Sequence, residues 1–182
     1  MELRTARLRL RELRDDDLEP WAQLNADRRV RAFFPDVMTR DESRRSIERM
    51  REHFARHGFG MWALEVIESG AFIGSVGLNI PTFESHFTPC VELGWRPAFN
   101  AWGHGYATEA ASAAVASAFD AVGVRELVAF TPQDNLRSRR VMEKLAMTHD
   151  PEDDFDHPLV PDGSRFKRQL LYRISRARTE RR

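Results

Sequence analysis

The 182-residue chain fits one domain of ordinary size, and its 42% hydrophobic residues are enough to bury a substantial core. Lys and Arg number 28 and Asp and Glu number 28, so formal net charge is zero, which argues against a dedicated nucleic-acid binder. The one cysteine, Cys90, excludes an intramolecular disulfide framework and suits a reducing, cytoplasmic location. There is no run of about 18 apolar residues to span a membrane, and Met1 to Arg14 lacks the apolar core of a signal peptide.

In chain order, Leu8, Leu10 and Leu13 nearly alternate with arginines and predict an edge or half-buried strand. Asp15, Asp16 and Asp17 predict a helix N-terminus, because carboxylates accept from the unpaired amides there. Leu18, Trp21 and Leu24 follow at helical spacing. A second helix is predicted from Thr39, with Glu42 at capping-box distance, an apolar stripe of Ile47, Met50 and Phe54, and Gly58 as the stop. Met61 to Ile67 and Phe72 to Asn79 read as a hairpin turning near Ser69-Gly70. A looser stretch with Pro81, Phe83, Phe87 and Pro89 leads to a strand at Val91 to Arg96. Gly103 and Gly105 then open a helix from about Tyr106 to Phe119, ended by Gly123. A buried strand at Arg125 to Phe130, a helix from about Asn135 to Leu145 and a strand at Arg168 to Ile174 complete the pattern. Its order predicts a single mixed α/β domain over residues 1–175 and a basic tail over 176–182. The arginines toward the end of the chain, Arg173, Arg176, Arg178, Arg181 and Arg182, read as a solvated end or as a contact for an acidic partner.

The most informative segment is Trp102-Gly103-His104-Gly105-Tyr106-Ala107-Thr108-Glu109-Ala110. Two glycines before a helix let the backbone approach a ligand, and the first helical amides point outward with the positive end of the dipole. Together they suit a pyrophosphate without needing a lysine, although a plain glycine turn into a helix has the same pattern. The segment lacks the Gly-Lys-Ser/Thr of a P-loop. Thr108 stands where a dinucleotide fingerprint needs glycine or alanine.

A second segment, Asn135-Leu136-Arg137-Ser138 followed by Glu143-Lys144-Leu145-Ala146-Met147, completes a set. With Thr5-Ala6-Arg7-Leu8-Arg9-Leu10-Arg11, Phe72-Ile73-Gly74-Ser75-Val76-Gly77-Leu78, Val91-Glu92-Leu93-Gly94-Trp95 and the Trp-Gly-x-Gly run, it resembles the GNAT superfamily of N-acetyltransferases. Within that superfamily it is most similar to the RimJ/RimL-like branch that acetylates ribosomal-protein N-termini. The resemblance covers nearly the whole chain. It implies a mostly antiparallel mixed sheet, splayed between the strand at Leu93–Trp95 and the strand at Leu127–Phe130, and flanked by helices. It implies acetyl-CoA as cosubstrate and no metal. The amides of Gly103, His104, Gly105, Tyr106, Ala107 and Thr108 would hold the pyrophosphate. The pantetheine arm would lie along Leu93, Gly94 and Trp95, with Asn135 and Ser138 toward the sulfur end. An amide near Leu93 or Gly94 would face the thioester oxygen. The chain departs from the pattern at Asn100, where relatives often carry Gln or Arg, and at Ala146, where they typically carry Gly.

Direct attack of an amine on a thioester needs a proton acceptor and, later, a proton for the thiolate. Glu92 is the candidate base, unless it is only an ion-paired strand carboxylate. Ser138 is the candidate near the sulfur, unless it serves only the first turn of its helix; Tyr172 is a lesser alternative acid. Glu109 is assigned no chemistry. His53 and His57, four apart, have no obvious acidic third ligand for a metal. Asp153, Asp154, Asp156 and His157 form either a solvated acidic loop or a selector for a cationic acceptor. Phe33-Phe34-Pro35 and Phe83 to Pro89 either grip the acceptor or pack the core. The expected partner is a primary amine, a protein N-terminus or a small amine, with no nucleic acid and no membrane; homodimerisation is left open. The competing readings are a non-catalytic CoA-binding module on the same fold and a different nucleotide-phosphate enzyme.

Overall fold

The structure is a computed structural model that describes residues 1–176; the expectations for Arg178, Arg181 and Arg182 lie outside the described residues. The elements are β1 (Leu3–Arg4), β2 (Leu8–Arg11), α1 (Leu18–Ala26), α2 (Arg40–His57), β3 (Met61–Val66), β4 (Phe72–Asn79), β5 (Glu92–Pro97), α3 (Tyr106–Ser117), β6 (Glu126–Pro132), α4 (Leu136–Lys144), β7 (Thr148–His149), β8 (Phe155–Asp156) and β9 (Arg168–Ser175). One sheet runs in the order β1-β2-β3-β4-β5-β6-β9-β7, with β8 also on β9, and every pairing is antiparallel except β5 with β6.

The predicted boundaries of the long elements lie within a few residues of those observed. The capping box at α2 is formed: Thr39 Oγ1 accepts from the Glu42 amide at 3.2 Å, and Glu42 Oε2 accepts from the Thr39 amide at 2.7 Å. Gly58 closes that helix in the left-handed conformation, φ 75°. α3 ends at Ser117 and widens into a π-turn over Ala118–Val122 before Gly123. The aspartate run differs from expectation. Asp17 does accept from the Arg14 amide, but chiefly it is buried against Arg11, whose Nη1 and Nη2 donate to its two oxygens at 2.7 and 2.9 Å. Asp15 instead reaches Arg51 on α2 at 2.7 Å. β1, β7 and β8 are two residues each, too short to show a period of two in the sequence.

The sheet has two faces, and the rows across it set the site. One row, Trp62, Val76 and Trp95, packs against α3, whose Ala110, Ala111 and Ala114 are fully buried and allow close approach. The next row over, Ala63, Ser75 and Arg96, lies on the opposite face, where Trp21, Leu24 and Ile47 of α1 and α2 make a second core with Ala63. Gly74 and Gly77 are needed because β4 is crowded from both sides. A Cβ on Gly74 would fall 2.3 Å from the Arg96 carbonyl oxygen, and one on Gly77 would fall 2.2 Å from the Gly60 carbonyl oxygen.

Ala146, after α4, has φ 61° and is the one non-glycine residue with positive φ among the described residues. A Cβ in that conformation costs on the order of 1 kcal/mol. Ala146→Gly is therefore expected to raise unfolding stability by about 0.5–1 kcal/mol, the gain being reduced by the extra chain entropy of glycine. Chemical denaturation should show a higher midpoint at an unchanged slope.

Candidate active site

β5 and β6 meet at only one register position, Glu92 beside Val128, with the Val128 amide donating to the Val91 carbonyl at 3.0 Å. Beyond that point they share no further pairs. On the other side of β5 the Ala98 amide donates to the Ile73 carbonyl at 2.8 Å. Successive residues of a strand direct their main chain to opposite edges. Odd-numbered residues of β5 therefore face β6 and even-numbered residues face β4. The Leu93 amide sits at the closed end of the parting, the Trp95 amide and carbonyl face the opened gap, and the Gly94 amide turns to β4.

The chain leaves β5 through a 3₁₀ turn at Phe99–Ala101 and reaches Gly103 and Gly105, with φ 81° and 80°. Both conformations favour glycine, and both residues look onto open space: a Cβ on Gly103 would meet nothing within 4 Å, and one on Gly105 only Arg7 Nη2 at 3.6 Å. The first amide bond into α3 is Glu109 N to Gly105 O at 3.0 Å. The amides of residues 103–108 make no hydrogen bond with the described residues, and they lie at the positive end of a twelve-residue helix. His104 and Tyr106 stack at 5.6 Å, and the Arg7 guanidinium lies 4.6 Å from the Tyr106 ring centre.

This turn is pinned from a distance by Glu109, a residue that sequence reasoning passed over. Its Oε1 accepts from Thr5 Oγ1 at 2.6 Å and from the Arg7 amide at 3.0 Å; its Oε2 accepts from Arg7 Nε at 2.7 Å. Arg7 Nη1 in turn donates to the His104 carbonyl at 3.0 Å. Burial pushes the Glu109 carboxyl upward, but the Thr5 and Arg7 hydrogen bonds hold it below the ordinary glutamate value. The repeat of Thr5 and Arg7 in the opening motif was the available signal; its partner, about a hundred residues away, was not.

Glu92 is half-buried on β5, and its Oε2 accepts from Asn79 Nδ2, directly across on β4, at 3.2 Å. Burial raises its pKa, against the smaller opposing effects of the Asn79 hydrogen bond and the Arg96 charge. It makes no ion pair with the described residues. On the same face, Gly94 stands opposite Gly77, with the Met61 thioether 3.9 Å from where a Gly94 Cβ would be. Arg96 follows, opposite Ser75. Cys90, just before the strand, has its thiol pushed up to about 11, by burial first and by Glu92 second, so it is not a ready thiolate.

Asn135 caps α4. Its Oδ1 accepts from the Ser138 amide at 3.3 Å, and its Nδ2 donates to Thr131 Oγ1 at 2.8 Å and to Ser138 Oγ at 3.0 Å. Ser138 thus serves the first turn of its helix, while its own hydroxyl proton has no partner among the described residues. Tyr172 is buried on β9, with its hydroxyl accepting from Arg139 Nε at 3.4 Å and its ring stacked on His149.

Other expectations resolve differently. Asp154 accepts from the Leu171 amide and lies 2.8 Å from His149 Nε2, and Asp153 pairs with Arg173 at 2.7 Å. Asp156 faces Arg168 at 3.6 Å, with both side chains exposed. Phe83 and Phe87 pack with Phe130 and Phe155 in a satellite core. Phe34 behaves otherwise, with the guanidinium groups of Arg31 and Arg96 at 4.2 and 4.4 Å from its ring centre. His53 is occupied by the Phe59 carbonyl and the Ile80 amide, and no cluster of three metal-ligating side chains occurs among the described residues.

A parted parallel strand pair thus lies beside a helix whose first amides make no hydrogen bond with the described residues, and free amides at a helix start favour an anion. The family model of the acetyltransferase (GNAT) domain matches residues 7–148, and the chain belongs to that family. It is similar to the FsC-acetyl coenzyme A-N(2)-transacetylase of Aspergillus fumigatus, 34% identical over 123 residues, which are 65% of this chain and 51% of that protein. A crystal structure of an acetyltransferase from Agrobacterium tumefaciens superposes with TM-score 0.77 at 27% identity, covering 97% of this chain and 95% of that one. The fold is also shared with Mycobacterium smegmatis RimJ in complex with CoA-disulfide, at TM-score 0.75 and 20% identity over 94% of this chain and 83% of that one. The protein is an acetyl-CoA-dependent N-acetyltransferase.

Gly105→Val places a β-branched side chain at φ 80° in front of the free amides. It is expected to weaken acetyl-CoA binding at least about tenfold, the scale of losing one charge-assisted hydrogen bond. Calorimetry on the variant, with its unfolding midpoint measured alongside, checks this.

Proposed function

We propose that the protein acetylates an α-amine, a peptide or protein N-terminus in the manner of the RimJ/RimL-like branch, in the cytoplasm. The observation that carries this reading is the half-buried carboxylate of Glu92, at the point where the two strands begin to part, which makes no ion pair with the described residues. An α-amine has pKa ~7.8 and a lysine side chain ~10.4, so a lysine costs ~3.5 kcal/mol more to deprotonate at neutral pH. One carboxylate suits the easier proton. The lone Cys90 suits the proposed compartment.

In this reading acetyl-CoA supplies an electrophilic thioester carbonyl and a thiolate leaving group. The amides of residues 103–108 bind the pyrophosphate. The main chain of Leu93 and Trp95, and the residues Asn135 and Ser138, orient the pantetheine arm. Strand parity selects the Trp95 amide as the donor to the oxygen that gains negative charge, with the Leu93 amide next to it at the closed end. Glu92 takes the proton as the amine nitrogen bonds to the carbonyl carbon. The carbon–sulfur bond then breaks, and the Ser138 hydroxyl donates a hydrogen bond to the sulfur as it leaves. A small amine of similar pKa is the second reading; the identity to FsC-acetyl coenzyme A-N(2)-transacetylase favours it.

Glu92 acts as base only when ionised, and its pKa is raised by burial. The wild-type rate should therefore fall on the acid side at a higher pH than an ordinary glutamate would give. Glu92→Gln should lower kcat/KM on the order of 10²-fold, remove that acid limb, and lose less as pH rises and the amine deprotonates itself. A pH–rate profile of both proteins decides it; an unchanged profile in the variant removes Glu92 from the mechanism. For the acceptor, two matched peptides are compared, one with a free N-terminus and no lysine, the other N-terminally blocked with one lysine. The free N-terminus should react faster, and faster transfer to lysine would overturn the preference.

A further inference from the structure

Arg96 lies on the same strand face as Glu92, four residues further along β5, which places their Cα atoms about 13 Å apart. Between them the face carries only Gly94 and Gly77, so the two side chains border a trough whose floor is backbone and whose side is the Met61 thioether. Arg96 Nη1 donates to Asn25 Oδ1 at 3.0 Å, but its Nε is buried with no hydrogen-bond partner, and its Nη2 has none among the described residues. Across the strand, the Ser75 hydroxyl is also buried and unpartnered. The Arg96 guanidinium rests on Phe34, whose ring Arg31 also contacts, and Arg31 gives only its Nε, to the Asp36 carbonyl at 2.7 Å. Among the described residues no carboxylate lies within ion-pair distance of either arginine. Arg96 is set apart from the other arginines by its burial: among the described residues it is the one arginine with a buried nitrogen that no hydrogen-bond partner meets. A buried cation without a counter-charge is costly, and it persists where an anion completes it. Burial, and then the charge of Arg31, disfavour the charged form of Arg96 in the free protein, and a bound anion removes that penalty.

Resting on the acetyl-transfer reading of this same site, we propose that the acceptor carries a carboxylate a few bonds from its amine, with Arg96 and Arg31 holding the carboxylate while Glu92 meets the amine. Two sources share this chemistry: a peptide whose first residue is Asp or Glu, and a free small amino-carboxylate. The sign is opposite to the one the acidic loop at Asp153–Asp156 suggested from sequence.

The test compares acceptors in the wild-type protein. Peptides beginning with Asp are set against the same peptides beginning with Asn, and free amino-carboxylates against the corresponding amines without the carboxylate. The carboxylate-bearing member of at least one pair should have kcat/KM about 10- to 100-fold higher, carried mainly by KM. Which pair shows the preference identifies the source. Arg96→Met should collapse the ratio toward one and Arg96→Lys should restore part of it. Because binding needs no turnover, calorimetry on the CoA-loaded protein with N-acetyl-Asp and N-acetyl-Asn peptides, and with the small acetylated products, gives a second readout. Equal kcat/KM within both pairs, or equal product affinities, overturns the carboxylate site while leaving acetyl transfer intact. Loss of all transfer with the affinity difference retained would instead overturn the catalytic reading and keep the anion site.

Discussion

The parting of β5 from β6 is the constraint on which the rest of the site depends. Two strands joined at one position and then separated leave main-chain donors and acceptors without a ladder, and such groups must find a partner. Here they line a gap that opens toward the glycine turn before α3. The sheet meets the need for the gap by crowding elsewhere. β4 approaches β5 and β3 so closely that Gly74 and Gly77 have no room for a Cβ. The alanine face of α3 lets the helix sit directly on β4 and β5. The helix start, with its free amides, is thereby fixed relative to the opened strand edge.

Alternation along β5 divides its work. Leu93 and Trp95 point to α3 and hold the strand in place, and the main chain of the same residues faces the gap. Glu92, Gly94 and Arg96 lie on the face toward α1 and α2. A one-residue slip of register would exchange these roles entirely, placing a carboxylate and a guanidinium in the alanine-lined core. The single parallel bridge to β6 and the antiparallel pairs with β4 from Asn79–Glu92 to Gly74–Pro97 fix the register against such a slip.

Features with a local period or a local cap were legible in the sequence. The α2 capping box, the Gly58 stop and the two glycines opening α3 each depend on residues within a turn of one another, and each is present. What joins distant parts was not legible. Glu109 could be placed on neither the core side nor the surface of its helix, because nothing in its neighbourhood announces that Thr5 and Arg7 fold onto it. The aspartates at 153, 154 and 156 looked available because their cations, Arg173 and Arg168, arrive on a different strand. The aromatic pair Phe83 and Phe87 and the single Phe34 carried the same composition signal, yet one group closes a satellite core and the other contacts two arginines. Arg96 could have been noticed, since it shares the parity of Glu92 on a short strand, where an arginine two residues beyond a glycine has little apolar reason to be.

Glu92 and Arg96 are each left in an unfavourable state by the free fold, in complementary directions. Burial opposes the carboxylate and burial opposes the guanidinium, and their mutual attraction only partly offsets this across the trough. Closing the distance would form an ordinary ion pair, stabilise both groups and abolish the base, because a carboxylate held by a guanidinium is a weak proton acceptor. Gly94 and Gly77, having no side chains, stand between the two groups instead. The Asn79 hydrogen bond steadies Glu92 without supplying a charge, and Asn25 does the same for Arg96. Neutral partners therefore position two charged groups while leaving their charges unspent, which is the arrangement expected where an incoming molecule, not the protein itself, completes the electrostatics.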